Sequence, residues 1–404
     1  MAISRKMMEY VANGSMIRKM FEEGARLKAI HGADKVFDFS IGNPNLPPPG
    51  LFKSTLKAVV EADAPNLHAY MPNAGLPSTR KAIAARIAAE QGVPIEASQI
   101  VVTCGAAGAL NIVCKALFEP GDEMLVSSPY FVEYGFIAEN HGGILRTVPT
   151  LPDFSLDIQA LEAAMGPRTK IVLVNTPHNP TGRIYSAESL AGLAAAMERR
   201  SAAVGHAIYL VSDEPYRALA YDGRKVPSPL ASYPHSIVAT SYSKELSLPG
   251  ERIGYAAVNP RAEDLDNLMA ALSLANRILG FVNAPSLMQH VIAALPGPAL
   301  VDVSRYQRAR DLLADGLSAA GYEFNLPEGA FYLFPKIPGA GGDSAFLELL
   351  REENILVVPG SAFGAPGYFR IAFCVDESTI AGSMPGFRRA IGKTVKADRA
   401  TPGL

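Results

Sequence analysis

The chain has 404 residues, 49% hydrophobic and 19% charged, with a formal net charge of −2. This is the balance of a soluble globular protein long enough for two domains, and it lacks the basic excess that a nucleic-acid surface needs. Three cysteines (Cys104, Cys114, Cys374) show no CxxC spacing, the N-terminus is polar, and no apolar run reaches membrane-spanning length, so a cytoplasmic protein with no disulfide framework and no metal site is expected.

Residues 1–14 read as an arm. Over 15–31, Met16, Met20, Leu27 and Ile30 recur at helical spacing; VFDFSIG then reads as a short strand closed by the breaker cluster NPNLPPPG. From residue 50 to 296, helix-like stretches alternate with short Val/Ile-rich runs: QIVVTCG, EMLVSSP, KIVLVNTP, AIYLVSDEP and SIVATSYS. Buried parallel strands have this pattern, with chemistry placed at their carboxyl ends. From 297, VDVSRYQRARDLLADGLSAAG predicts a helix and YEFNLPEGAFYLFPKI a strand pair. A further helix and the strands NILVVPG and YFRIAFC follow. The expected fold is α/β. A large domain (50–296) carries a mostly parallel sheet flanked by helices, and a smaller α+β domain is assembled from 15–49 and 297–395. Residues 396–404 read as a frayed tail.

Candidate chemistry falls at the ends of the apolar runs. In SYSKELSLPGERIGY, Lys244 is ringed by Ser241 and Ser243 and followed eight residues later by Arg252. A lysine amine forms a Schiff base with a carbonyl compound, and the serines and arginine are phosphate-holding groups. Together they describe a site for pyridoxal 5'-phosphate; an exposed lysine in a polar loop is the alternative. In TCGAAGALNIVCKALF, Gly105, Ala106 and Ala107 lead a strand into a helix whose N-terminus offers free N–H groups to an anion; simple tight packing is the competing explanation. SSPYFVEY supplies Tyr130 or Phe131 to stack on a flat ring, or merely core aromatics. NTPHNPTG holds Asn179 in a turn with its amide outward, with or without a chemical role. In SDEPY, Asp213 stands where it could keep a pyridine nitrogen protonated and Tyr216 where it could reach a ring oxygen; a solvent-facing acidic turn is the other reading. In YFRIAFC, Arg370 sits inside an apolar strand and needs either a substrate α-carboxylate or a structural ion pair.

In order and spacing, Y-x4-G, TCGAAGAL, SPYF, NPTG, SDEPY, SxSK-x7-R-x-GY and the late FRI resemble the class I/II aminotransferases, the aspartate aminotransferase-like branch of fold-type I pyridoxal-phosphate enzymes. The resemblance covers roughly residues 15 to 390. It implies that Lys244 is the Schiff-base lysine and, once released, the general base, with Asp213 paired to the ring nitrogen. Asn179 and Tyr216 would bind the ring oxygen, and Phe131 would stack on the ring. Gly105, Ala106, Ala107, Ser241, Ser243 and Arg252 would seat the phosphate. Tyr70, in HAYMPNAG, resembles the tyrosine that reaches the phosphate from the other subunit, which implies a homodimer with shared active sites. Arg370, Asn179 and the backbone at Gly42 would take the substrate α-carboxylate. Cis peptides are expected before Pro129 and Pro180.

One departure concerns the substrate. Ala107 stands where one aspartate-specific subgroup has a lysine that reads the distal carboxylate. Arg277 lies near the place of an arginine that another subgroup borrows from the partner chain, though it is equally readable as a surface residue; Arg18 is a further candidate cation. The implied reaction is transamination from an L-amino acid, aspartate first, to a 2-oxo acid such as 2-oxoglutarate. The alternatives are a C–S lyase or other β-eliminating enzyme on the same fold, and a non-catalytic pyridoxal-phosphate-binding regulator.

Overall fold

The computed structural model describes residues 2–12, 16–297, 300–339 and 342–400, with backbone alone at 12, 16–19, 21 and 395–400. In chain order the first strand, β1 (Phe37–Asp38), is followed by β2 (Ile100–Thr103), β3 (Glu123–Ser128), β4 (Ile144–Pro149), β5 (Thr169–Asn175), β6 (Tyr209–Asp213), β7 (Ser236–Ser241) and β8 (Gly254–Val258). Strands β2 to β8 form one seven-stranded sheet in the order β2-β8-β7-β6-β5-β3-β4. Only β8 runs against the rest, pairing antiparallel with both β2 and β7. The five apolar runs expected as strands are β2, β3, β5, β6 and β7.

Helices cover both faces. Ala109, Ile112 and Val113 of the helix Gly105–Leu117 pack with Leu268 and Leu272 of the helix Leu265–Ile278 on one set of inward side chains of the sheet. Leu190, Leu193 and Met197 of the helix Ala187–Val204 cover the opposite set, among them Val172 and Leu210. A third cluster joins Ile83 and Ile87 of the helix Pro77–Gln91 to Val238, Tyr242 and Leu246 around β7. Burial on both faces is why these strands read as continuous apolar runs rather than alternating ones.

Beyond the large sheet lie β9 (Tyr332–Leu333), β10 (Ile355–Leu356), β11 (Val358–Pro359) and β12 (Phe369–Ala372). β1 pairs in parallel with β10, so the N-terminal segment is stitched to the C-terminal part, and β11-β12-β9 form a small antiparallel sheet. Their core includes Phe331, Phe369 and Phe373, closed by Leu313 and Leu317 of the helix Val303–Ala320 and Phe387 of the helix Glu377–Ala400.

Three differences from expectation have physical reasons. The pair predicted in YEFNLPEGAFYLFPKI is one two-residue strand, β9: residues 322–326 form no strand, and Pro327 and Pro335 each remove a ladder donor. β4 is an edge strand, largely exposed and carrying Arg146, so it has no apolar signature. The segment read as an arm contains the helix Arg5–Ala12, which lies on the helix Glu133–Asn140 through a Lys6–Glu139 ion pair and an edge-to-face Tyr10–Phe136 contact. At the other end, helical backbone continues to Ala400, and residues 401–404 lie outside the described residues. Peptides preceding Pro129, Pro177 and Pro180 are cis, one more than expected.

Candidate active site

The carboxyl ends of β5, β6 and β7 open into a cavity of about 510 Å³, walled on its far side by the Gly42 segment, Tyr332 and Arg370. Ala106, Ala107, Phe131, Asn179, Asp213, Tyr216, Ser241, Ser243, Lys244 and Arg252 also line it. Residues spread over the chain meet here because parallel strands end on the same side of the sheet.

Lys244 follows β7 in a turn closed by Leu246 N donating to Tyr242 O at 3.2 Å. Its Nζ donates to the Gly42 carbonyl at 2.9 Å. Burial lowers the ammonium from its ordinary value to about 8, aided by the positive Arg370 and Arg252 and opposed by Cys374. Near neutral pH a usable fraction of this amine is therefore uncharged and nucleophilic.

Asp213 ends β6. Its Oδ2 accepts from the Tyr134 hydroxyl at 2.7 Å, while Oδ1 is buried with no partner. Burial raises the carboxyl to about 7, against the pull of Tyr134 and with a push from Glu214. An orphaned buried carboxylate oxygen is costly, and a protonated ring nitrogen is the kind of donor that satisfies it. Asn175, ending β5, holds the floor of the cavity together: its amide donates to the Asp213 carbonyl at 2.8 Å and accepts from the Asn179 N–H at 2.7 Å.

Arg370, on β12, is buried. It donates to Asn179 Oδ1 at 3.1 Å and to the Ser40 carbonyl at 2.8 Å, and its guanidinium lies 4.6 Å from the centroid of the Tyr332 ring. Its Nε has no partner, and no carboxylate of the described residues pairs with it. The Tyr332 hydroxyl is in turn 2.8 Å from that of Tyr216.

The anion end is built from the first turn of the helix Gly105–Leu117, where the backbone N–H groups have no intrahelical acceptor. Ser241 and Ser243 line the cavity, and their hydroxyls have no hydrogen-bond partner among the described residues. Gly105 is not itself in the cavity wall. It has φ 75°, and a Cβ there would meet Arg252 Nη2 at 2.9 Å, so glycine lets the guanidinium lie over the turn. Behind it, Gly254 packs backbone to backbone: an added Cβ would strike the Thr240 carbonyl and come within 2.8 Å of the Gly105 backbone. Asp213 Oδ1 and Arg370 Nε are left without partners among the described residues, and the serine hydroxyls, Arg252 and the helix N-terminus gather at one end of the cavity, so the residues fit pyridoxal phosphate.

Three candidates lie outside this cavity, two of them, Tyr70 and Arg277, expected at a partner's site rather than at their own. Tyr130 points away from the cavity, against Gly364. Tyr70, 92% exposed, and the exposed Arg277 do not line the cavity of their own chain. Arg18 lies in the helix Met16–His31, but its side chain is outside the described residues. Conversely, Tyr134, Asn175 and Tyr332 were not singled out from sequence. Asn175 carries a signal, a polar residue closing the apolar run KIVLV; Tyr134 and Tyr332 carry none, since a tyrosine among apolar residues is common in a core.

A seven-stranded, mostly parallel sheet with a largely buried lysine and a buried acid at neighbouring strand ends defines a fold-type I pyridoxal-phosphate transferase. The family model for aminotransferase class I and II matches residues 34–382. The chain is 34% identical over 329 residues to an aspartate/prephenate aminotransferase of Thermus thermophilus, covering 80% of this chain and 83% of that one. It is 33% identical over 373 residues to an aspartate aminotransferase of Geobacillus stearothermophilus, covering 88% and 90%. An aminotransferase structure from Eubacterium rectale superposes with a TM-score of 0.94 at 40% identity, covering 98% of this chain and 99% of that one. The chain belongs to the class I and II aminotransferases, enzymes that use pyridoxal phosphate.

Proposed function

We propose that this aminotransferase takes the amino group of an L-amino acid, aspartate first, and passes it to a 2-oxo acid such as 2-oxoglutarate, working as a cytoplasmic homodimer with shared active sites. The observation that carries the reading is Arg370, a buried guanidinium without a carboxylate partner among the described residues, facing the same cavity as Lys244. A substrate α-carboxylate meets its need.

Pyridoxal phosphate, when bound, supplies an aldehyde carbon for the amine and a ring that withdraws electrons from the bonds at the attached carbon. The chain's own groups do the rest. Ser241, Ser243, Arg252 and the N–H groups at Ala106 and Ala107 bind the phosphate. Asp213 Oδ1 would hold the proton of the ring nitrogen, Tyr216 and Asn179 would donate to the ring oxygen, and Phe131 would stack on the ring. Arg370, with Asn179 and the Gly42 backbone, orients the substrate. Lys244 Nζ takes the proton from the substrate Cα. In this reading, residues 50–296 form the cofactor-binding domain and 15–49 with 297–395 the small one.

The dicarboxylate choice rests on the wall of the cavity and on the relatives. The cations lining it are Lys244, Arg252 and Arg370, and Ala107 adds none. Among the described residues, the cavity wall offers no further cation for a second carboxylate. Arg277 is exposed on a face with the exposed Leu274 and Ile278. The Tyr70 loop is strapped to the same helix end, with Asn276 Nδ2 donating to Asn73 O at 2.9 Å. Exposed aromatic and apolar side chains around a charged one suit a subunit interface. A related Thermus thermophilus aspartate aminotransferase, 30% identical, was solved with the dicarboxylate maleate. The free cysteines fit a reducing compartment.

A panel of amino acids given singly to the loaded enzyme tests the reading. Aspartate and glutamate should convert it to the pyridoxamine form faster than alanine or phenylalanine; equal rates reject the dicarboxylate choice, and continuous release of ammonia and pyruvate identifies a lyase instead. Arg277→Leu should lower the preference for aspartate over alanine by about tenfold, the loss of one charged contact.

A further inference from the structure

Lys244 and Asp213 share a feature outside the cavity: each is followed directly by a glutamate, the largely buried Glu245 and the fully buried Glu214. Neighbouring residues at a strand end point to opposite sides, so when Asp213 faces the cavity, Glu214 faces away from it. Neither glutamate lines the cavity, and both are held by one helix, Pro77–Gln91. Arg86 makes a bidentate pair with Glu245, at 2.7 and 2.6 Å, and lies 5.7 Å from the centroid of the Tyr242 ring. One turn on, Gln91 Nε2 donates to Glu214 Oε2 at 2.9 Å while its own Oε1 accepts from the Ser228 hydroxyl at 2.9 Å. Ser212 and Arg217 complete the ring of donors around Glu214, at 2.8 and 3.1 Å.

We infer that the helix Pro77–Gln91 is a common anchor that sets the position of Lys244 relative to Asp213, with Arg86 and Gln91 as positioning residues. The argument is mechanical and electrostatic. Glu214 is shut away from water and Glu245 largely so, which disfavours exchange of their partners for water while the cavity side changes occupant. A bidentate guanidinium pair fixes orientation as well as distance, and it acts on the residue adjacent to the lysine. Asp213 ends β6 and Lys244 lies in the turn after β7; one rigid rod gripping the residue next to each keeps amine and acid in register when the lysine is released to move a proton. Glu214 also raises the Asp213 carboxyl by its charge, so the donors that hold Glu214 bear on how Asp213 meets the ring.

The inference rests on Lys244 carrying the cofactor, and the test separates the two. The holoenzyme is titrated with pH while following the near-visible absorbance of the lysine-linked cofactor, and kcat and KM are measured beside it. The variants are Gln91→Met and the pair Arg86→Met with Glu245→Met, which removes both charges together and leaves no buried charge unpaired. Ile87→Val is the control for mere loss of packing in the same helix: it lowers the melting temperature and leaves the spectral midpoint alone. Both test variants should move the midpoint by at least about half a pH unit. They should also lower kcat about tenfold to a hundredfold while KM stays within about twofold, because Arg370 is not tethered to this helix. If the paired variant does not fold, Arg86→Lys, which keeps the charge and loses the fork, should give a folded enzyme with a shifted midpoint. Midpoint and kcat unchanged from wild type in the folded variants overturn the inference; a wild type with no lysine-linked absorbance overturns the cofactor assignment itself.

Discussion

At the strand ends, Asp213, Tyr216 and Arg370 are buried and Lys244 nearly so, and each is tied to a named neighbour at hydrogen-bond distance: Tyr134, Tyr332, Asn179 and the Gly42 carbonyl. On the face of the helix Leu265–Ile278, by contrast, Arg277 stands exposed between the exposed Leu274 and Ile278, and Tyr70 projects from a loop strapped alongside. The first region positions its polar groups within one chain. The second leaves its charged and aromatic groups exposed. In the proposed reading, a single subunit contains the chemistry of the reaction, while the discrimination among substrates is left to a surface that a second subunit would complete.

Substitutions sharpen this contrast. The largest effect is expected at Lys244: Lys244→Ala should abolish the lysine-linked absorbance and lower turnover by about ten-thousandfold or more, since both the covalent link and the general base are lost. Retention of normal turnover would remove Lys244 from the centre of the site. Loading of the apoenzyme should report the buried amine directly. With its ammonium lowered to about 8, the uncharged fraction grows about tenfold per unit below that value. The rate of cofactor attachment should therefore rise about fiftyfold from pH 6 to 8 and only about twofold more above that, as stopped-flow absorbance would show; a continued climb toward the ordinary lysine value would mean a solvated amine. Arg370→Leu should cost about a hundredfold in kcat/KM, mostly in KM, while equilibrium dialysis finds cofactor affinity unaltered. Phe131→Leu is the smallest: losing one stacking partner should weaken cofactor affinity about fivefold with little change in substrate preference.

What could be read in the sequence follows the same division. Asp213, Ser241 and Lys244 were legible because β6 and β7 are apolar runs that stop abruptly in polar residues, and a strand end on a parallel sheet is a place with a direction. Arg370 was legible by contradiction, a guanidinium inside an apolar strand. The edge strand β4 was not, because half-exposed residues such as Arg146 erase the apolar run. Neither was the reversed direction of β8, since GYAAV is as apolar as its parallel neighbours and direction leaves no mark on composition. Tyr134 and Tyr332 were silent for a different reason: a buried tyrosine packs like phenylalanine, and only the tertiary fold shows which acid or hydroxyl its oxygen meets. Tyr70 and Arg277 gave sequence motifs without a location.

The contact between Gly254 and the Gly105 turn has a consequence for how such a protein changes over time. Most distances in a folded chain are set by side chains and drift as those side chains are replaced. Here main chain rests on main chain, so the gap between the lysine's strand and the anion turn is a gauge block of fixed thickness. The walls that choose a substrate can be recut many times around it, and the cofactor will still find its seat at the same depth.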